Sequence, residues 1–250
     1  MAGRERWLEV AGRRVRYREA GGGVVVVVVV PGLGLSCDFY RAAYAALATA
    51  GLRVLVPDLP GFGKSAGPRL GLTVEQTARW LLAFAGALGL GRAAWIGHSL
   101  GAQPAMQLAA DHPARARALV LAAPTGAPAR RRLLRQASGL VLDIGREPLA
   151  LVPAVAREYL RTTPWAYLGT WLKAARHDPA DTARRIRCPT LLVRGRGDPI
   201  VRPDFLELLR QRIPDAHVRA VPGGAHSLVF RRPEEFYALV VEFLRVHGRD

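Results

Sequence analysis

Three side chains of this sequence have the types and surroundings of a serine nucleophile with its proton-transfer partners. Ser99 stands in Gly-His-Ser-Leu-Gly, a G-x-S-x-G pattern whose tight strand-to-helix turn lifts the hydroxyl out of the backbone. A serine hydroxyl is a weak nucleophile, so it needs a base, and the base needs a group that orients it. The chain offers His226 in Gly-Gly-Ala-His and Asp198 in Gly-Arg-Gly-Asp-Pro. The pattern predicts Ser99 as nucleophile, His226 as base and Asp198 as orienter.

The segments before these residues predict that all three lie at one edge of a sheet. Each residue follows a short apolar segment of strand type, namely Ala93–Ile96, Thr190–Arg194 and His217–Val221. Helical patterns alternate with the strands, which is typical of a mostly parallel sheet with helices on both faces. The interval between Asp198 and His226 leaves room for one helix and one strand. We therefore expect both loops at the carboxyl ends of neighbouring strands, where sites form in such folds.

Seven consecutive valines, residues 24–30, precede the turn Pro31-Gly-Leu-Gly34. The run is far too short to cross a bilayer, which needs about 20 apolar residues as a helix. It also lacks the alternation of a strand with one wet face. Valine is stiff at χ1 and favours strands, so the run suits a strand buried on both faces. The sequence therefore predicts a central strand followed by a turn at the active site.

The alternation stops between Gly126 and Ile186. This segment contains helical stretches broken by prolines and no strand, and it is too long for a loop within a compact sheet. We predict a core made of residues 1–126 and 187–250, with residues 127–186 inserted as a helical cap over the strand ends. Aromatic residues of the cap could line a pocket or pack on the core, namely Trp165, Tyr167 and Trp171.

Together these motifs resemble the α/β-hydrolase superfamily, and in particular its serine hydrolases with a helical cap. The likeness extends over most of the chain. It includes the segment Asp58–Ser65, which resembles the family's D-x-x-G-x-G-x-S loop, besides the serine turn and the loops of Asp198 and His226. The resemblance implies an α/β fold with a mostly parallel, doubly wound eight-stranded sheet and an inserted cap.

The resemblance also implies an oxyanion hole made of two backbone N–H groups, those of Leu33 and Leu100. In the family the first donor follows a His-Gly pair, whereas this sequence has Pro31-Gly32. Because the donors are main-chain groups, we expect their function to survive the replacement of histidine by proline.

The activity implied by the resemblance is hydrolysis of a carboxylic ester through an acyl-enzyme, with lactones or thioesters as close alternatives and an apolar acyl group. Three other functions stay open: hydrolysis of C–C bonds, cofactor-free perhydrolysis, and a small-molecule receptor that retains the triad. No cofactor is implied, because the sequence contains no metal-binding motif and no Gly-rich dinucleotide turn.

The net charge of +16 raises the question of a nucleic-acid partner. The basic residues are dispersed rather than clustered, and only Lys64 and Lys173 are lysines, which favours a compositional bias towards arginine over a binding patch. We therefore expect a small-molecule substrate. The N-terminus lacks the apolar segment of a signal peptide and no segment is long enough to span a membrane, which predicts a cytoplasmic protein. The two cysteines, Cys37 and Cys188, form no disulfide framework.

Overall fold

An eight-stranded sheet forms the centre of the computed structural model, which describes residues 3–126 and 164–248. The strands are β1 (Arg4–Val10), β2 (Arg13–Ala20), β3 (Val26–Val30), β4 (Arg53–Pro57), β5 (Ala93–His98), β6 (Ala116–Ala122), β7 (Thr190–Gly195) and β8 (Ala216–Val221). Their order across the sheet is β1-β2-β4-β3-β5-β6-β7-β8. Only the two pairs that include β2 are antiparallel. The predicted fold class is confirmed.

The valine run forms the central strand only in part. β3 lies between β4 and β5, both parallel to it, and Val27 to Val30 are almost completely buried. Val24, in contrast, is 98% exposed and lies outside the strand. The prediction was therefore right for five valines and wrong for the first two, which follow the glycine turn that leads into the sheet.

Helices cover both faces of the sheet, and within the described residues they are α1 (Arg41–Thr49), α2 (Val74–Ala87), α3 (Ala102–Asp111), α4 (Pro164–Ala174), α5 (Pro179–Ala183), α6 (Pro203–Arg212), α7 (Leu228–Arg231) and α8 (Pro233–His247). α2 begins at a capping box in which Thr73 and Gln76 exchange side-chain and backbone hydrogen bonds, as their spacing predicts. The helical spacing of apolar residues from Asp38 to Ala50 predicts one helix, but a 3₁₀ turn, Cys37–Tyr40, precedes α1. None of the described helices is both long and apolar enough to cross a membrane.

Most of the predicted cap, residues 127–163, lies outside the described residues, so its boundaries stay a prediction. Helix α4 belongs to the described part of the predicted cap and packs close to the loop before α2. There the Lys173 ammonium donates to the carbonyls of Leu70 and Gly71 over 3.0 and 2.9 Å. His177 follows α4 and is buried against α3. Its Nδ1 lies 3.0 Å from Oε1 of Gln103, and its Nε2 lies 3.0 Å from Oε1 of Gln107. Its place before Asp178 and Pro179 in the sequence predicts only a loop histidine, so these contacts are seen only in the structure.

Candidate active site

Ser99 occupies a sharp turn between β5 and α3. Its φ of 53° lies in the left-handed region, which few non-glycine residues adopt. The glycines on either side are required by close packing. A Cβ on Gly97 would lie 2.5 Å from the Cα of Ala102, and a Cβ on Gly101 would collide with the carbonyl of Pro31. The geometry is that of the turn predicted from G-x-S-x-G.

The structure brings the three predicted site residues together from three different loops. Ser99 Oγ lies 2.8 Å from Nε2 of His226, and Nδ1 of the same imidazole lies 3.0 Å from Oδ2 of Asp198. Asp198 follows β7 and His226 follows β8, so neighbouring parallel strands place both loops at one edge of the sheet. The serine hydroxyl, the imidazole and the carboxylate form one continuous hydrogen-bonded chain.

Asp198 is held as a buried carboxylate. Its side chain is buried, and its Oδ1 accepts hydrogen bonds from the backbone N–H groups of Ile200 and Val201 at 2.7 and 2.9 Å. Burial raises the pKa of Asp198, but the hydrogen bond and charge of His226 and these two N–H groups outweigh burial, so the pKa lies below its ordinary value. The carboxylate can therefore orient the imidazole and stabilise its protonated form.

The turn after β3 lies directly beside Ser99. A Cβ added to Gly32 would lie 3.4 Å from the Cβ of Ser99. The N–H of Gly32 donates to the hydroxyl of Tyr40 over 3.0 Å, so it is already used. Within the described part of the chain, the N–H of Leu33 donates to no backbone carbonyl. Leu33, rather than Gly32, therefore has an N–H group available on this side of the serine.

A cavity of about 450 Å³, including the part open to solvent, adjoins this turn. Leu33 and Leu100 both border it. The described residues that line it are otherwise Pro31, Gly32, Leu59, Pro60, Phe62, Leu72, Thr73, Val74, Thr77, Gly101, Pro104, Thr170 and Ala174, and none of them is charged. The predicted cap aromatics Trp165, Tyr167 and Trp171 are not among these lining residues, and Trp165 is 54% exposed.

His98, which precedes the serine, contacts Tyr40 rather than solvent. Its Nδ1 lies 3.0 Å from the Tyr40 hydroxyl, and its ring centre is 6.2 Å from that of His226. Burial lowers the pKa of His98 to about 3, and the nearby charge of His226 lowers it as well. His98 is therefore neutral, and the Tyr40 hydroxyl, which accepts the N–H of Gly32, also shares a hydrogen bond with its Nδ1. Sequence reasoning missed Tyr40, because its helical spacing with other apolar residues indicated only a core position.

Asp58 organises the loops behind the site, as its position in the Asp58–Ser65 segment predicts. Its Oδ2 accepts from Nε of the buried Arg16 at 2.6 Å and from the N–H of Lys64 at 2.7 Å, and its Oδ1 accepts from the N–H of Cys37 at 2.7 Å. One carboxylate thereby connects β2 to the two loops that follow β3 and β4. The Cys37 thiol is completely buried, and burial raises its pKa, so it is a packed residue and not a reactive thiolate.

The chain belongs to the alpha/beta hydrolase family, whose family model matches residues 27–239. A relative from Klebsiella pneumoniae that carries the name of a carbamate hydrolase (RutD) is 31% identical over 245 residues, which covers 89% of this chain and 92% of that protein. A 2-hydroxy-6-oxononadienedioate/2-hydroxy-6-oxononatrienedioate hydrolase from Burkholderia vietnamiensis is 28% identical, covering 93% of this chain and 91% of that protein. These matches assign the chain to the α/β-fold hydrolases.

Two further proteins resemble this chain, one over about half of its length and the other in its fold. The dihydrolipoyllysine-residue acetyltransferase component of the acetoin cleaving system from Cupriavidus necator is 37% identical over 118 residues. That match covers 47% of this chain but only 31% of that protein. Among solved structures, the enol-lactonase from Burkholderia xenovorans superposes with a TM-score of 0.85 at 24% identity, over 96% of this chain and 100% of that one. This likeness concerns the fold.

Proposed function

We propose that this hydrolase cleaves a carboxylic ester through an acyl-enzyme formed on Ser99. The observation that carries the proposal is the chain of two hydrogen bonds, 2.8 Å from Ser99 Oγ to His226 Nε2 and 3.0 Å from His226 Nδ1 to Asp198 Oδ2. A base within hydrogen-bond reach of the nucleophile, itself oriented by a third group, is what nucleophilic acyl transfer requires.

The proposed reaction has two halves. Ser99 Oγ attacks the ester carbonyl carbon while His226 Nε2 takes the hydroxyl proton, and the oxyanion accepts hydrogen bonds from the N–H groups of Leu33 and Leu100. The intermediate collapses, the C–O bond to the alcohol breaks, and His226 returns the proton to the departing alkoxide oxygen. A water molecule, deprotonated by His226, then attacks the acyl-enzyme and releases the carboxylic acid and the free serine. No step of this scheme uses a cofactor.

The cavity supports a neutral, apolar acyl group as the substrate part beside the oxyanion turn. Its described lining contains leucine, proline, valine, phenylalanine and alanine side chains and three threonines, with no charged group. An ionised substrate group placed here would lose its hydration without gaining an ion-pair partner from these residues. From the described part of the predicted cap, Thr170 and Ala174 line this cavity.

Hydrolysis of a C–C bond is the second candidate, because the Burkholderia vietnamiensis relative is named for a dienedioate substrate and matches over nearly its whole length. A dioate has two carboxylates, which cationic side chains would have to bind. We place the ester first because the apolar side chains of the described cavity lining suit an uncharged acyl group. Perhydrolysis and ligand reception remain outcomes of the experiment and have no separate observation in their favour.

The test is hydrolysis of p-nitrophenyl esters from acetate to long acyl chains by the wild type and by Ser99→Ala. We expect turnover that peaks at one chain length and disappears in the variant, and labelling of Ser99 by a fluorophosphonate. If the folded wild type and the folded variant are equally inert, or equally active, the ester proposal is wrong. Dienoate ring-fission substrates, a peracid assay and ligand-induced thermal stabilisation would then distinguish the three alternatives.

A further inference from the structure

Asp215, His217 and His247 form a cluster at the outer edge of the sheet, away from the proposed active site. One ligand atom from each of the three side chains lies within 4.8 Å of the others. The imidazole Nε2 of His217 is already 3.0 Å from Oδ1 of Asp215. We propose that these three side chains bind a divalent transition-metal ion of the Zn²⁺ type.

The cluster is positioned by regular elements. Asp215 immediately precedes β8, and its backbone carbonyl accepts the N–H of Thr190 at 2.8 Å. His217 is the second residue of β8, the edge strand, and His247 is the last residue of α8. Phe243, one turn before His247 in α8, contacts both imidazoles, with ring centres 5.8 Å from His217 and 4.8 Å from His247. The shared contact holds the two histidines side by side.

The donor set matches the chemistry of such an ion. Two imidazole nitrogens and one carboxylate oxygen are ordinary zinc ligands, and three protein ligands leave a fourth position for water. Ligand atoms at about 2.1 Å from a tetrahedral ion are roughly 3.4 Å apart. The atoms of the cluster, which lie within 4.8 Å of one another, must therefore approach by at most about 1.4 Å, which rotation of partly exposed side chains can provide.

The net charge of +16 opposes the binding of a cation, and it includes Arg219 on β8 and Arg245 in the last turn of α8. At physiological ionic strength charges are screened beyond about 8 Å. The carboxylate of Asp215 acts at contact distance and has no such screening. Its negative charge offsets part of the repulsion, and the two imidazoles add nitrogen ligands that suit a transition-metal ion.

The position of the cluster indicates a structural site. Asp198 and His226 follow the carboxyl ends of β7 and β8, whereas Asp215 and His217 lie at the start of β8. A six-residue strand separates the two regions by about 20 Å. An ion held here would connect the end of α8 to the edge strand and would not touch the reacting atoms.

Isothermal titration of the chelator-treated protein with Zn²⁺ tests the proposal. His217→Ala and His247→Ala each remove one ligand, and we expect either change to weaken binding by more than about tenfold. His112→Ala is the matched control, because His112 is the third histidine with an accessible side chain and ends α3 elsewhere on the surface. His98, His177 and His226 are buried, as are both cysteine thiols.

Two further readouts keep the test decisive if an alanine variant folds poorly. His247→Gln preserves size and polarity, and it should lose the Zn²⁺-dependent rise in Tm that the wild type and His112→Ala show. In NMR spectra of the wild type, the imidazole signals of His217 and His247 should shift together on addition of Zn²⁺. Absence of binding at millimolar Zn²⁺, or undiminished binding in both ligand variants, would overturn the site. Neither result depends on esterase activity.

Discussion

The hydroxyl oxygen of Tyr40 lies 3.0 Å from Nδ1 of His98, deep in the core. The same oxygen accepts the N–H of Gly32, also at 3.0 Å. This one hydroxyl therefore connects the residue before Ser99 to the turn that contains Leu33. The two backbone segments proposed to form the oxyanion hole are thus held together by one buried side chain.

Replacing Tyr40 by phenylalanine should impair catalysis more than substrate binding. The change removes only the hydroxyl and leaves the Gly32 N–H and the His98 nitrogen without a partner in a buried region, which costs about 1–3 kcal/mol of stability. Because oxyanion donors act in the transition state, we expect kcat to fall about tenfold or more while KM changes little. Steady-state kinetics on the best ester would measure this. Tyr17→Phe, on β2, is the control, and an unchanged kcat in Tyr40→Phe would contradict the positioning role.

Asp198→Asn should remove most of the activity and leave the fold intact. The amide cannot stabilise the imidazolium and presents the wrong hydrogen-bonding partner to Nδ1 of His226, which in a serine triad costs about 10⁴ in kcat. The measurement is kcat on the preferred ester, with circular dichroism to verify folding. A loss of less than tenfold would argue that another group orients His226.

Asp58→Asn should show the opposite pattern. The carboxylate is completely buried and paired with the guanidinium of Arg16, which is itself completely buried. Removing one partner of a buried ion pair costs about 3–5 kcal/mol when the other charge is left alone in the interior. Nη1 of Arg16 keeps Oδ2 of Asp38 at 3.0 Å and Oε2 of Glu5 at 3.3 Å, so we expect a loss near the lower end of that range. Urea unfolding should therefore show a strongly destabilised protein. The remaining folded molecules should retain kcat within a few-fold, and a loss like that of Asp198→Asn would mean that Asp58 takes part in the chemistry.

His98 should make stability depend on pH in mildly acidic solution. Its pKa is about 3 in the folded protein and near 6.5 in the unfolded chain, so only the unfolded state binds this proton between those values. Stability is then fully present above pH 6.5 and falls as the pH decreases towards 3. Lowering the pH from 6 to 5 should therefore reduce the free energy of unfolding by about 1 kcal/mol. Urea unfolding of the wild type and His98→Asn at both pH values measures it, and equal pH dependence in the two proteins would refute it.

The backbone strain at Ser99 leads to a prediction about two inactive variants. A left-handed φ costs an L-residue about 1–2 kcal/mol, whereas glycine adopts it freely but gains entropy on unfolding. Ser99→Gly should therefore be more stable than Ser99→Ala by about 0.5 kcal/mol. Ala45→Gly in α1, where the backbone is helical, should instead lower stability by about 1 kcal/mol. Thermal unfolding of the variants distinguishes the cases, and a Ser99→Gly less stable than Ser99→Ala would contradict the strain.

The parts of the fold and site that sequence predicts are those defined by short local patterns. Ser99, Asp198 and His226 each follow a strand within a few residues of glycines, so parallel topology alone places their loops at one sheet edge. Thr73 could be recognised as a cap from the glutamine three residues later. In each case the deciding contacts lie within one turn of chain or follow from strand order.

The parts that sequence did not predict depend on contacts between distant segments. Tyr40 meets His98 across 58 residues, and His177 meets Gln103 across 74. The cluster of His217 and His247 forms only because α8 returns along the edge strand. From the local sequence alone, each of these residues would be assigned to the core, a loop or the surface. Their contacts become visible only when the helices and strands are packed together.

The uniform valine sequence of β3 has a consequence for how the register of this strand in the sheet is set. Identical side chains contain no information about register, because sliding the strand by one place would put valine where valine was. The alignment must therefore be set at the two ends of the run. At one end, any side chain on Gly23 would collide with the carbonyl of Gly51, and at the other, the carbonyl of Pro31 fits against the bare Cα of Gly101. The placement of the turn beside Ser99 is thus determined by two glycine contacts, and the uniform strand between them acts as a spacer of fixed length.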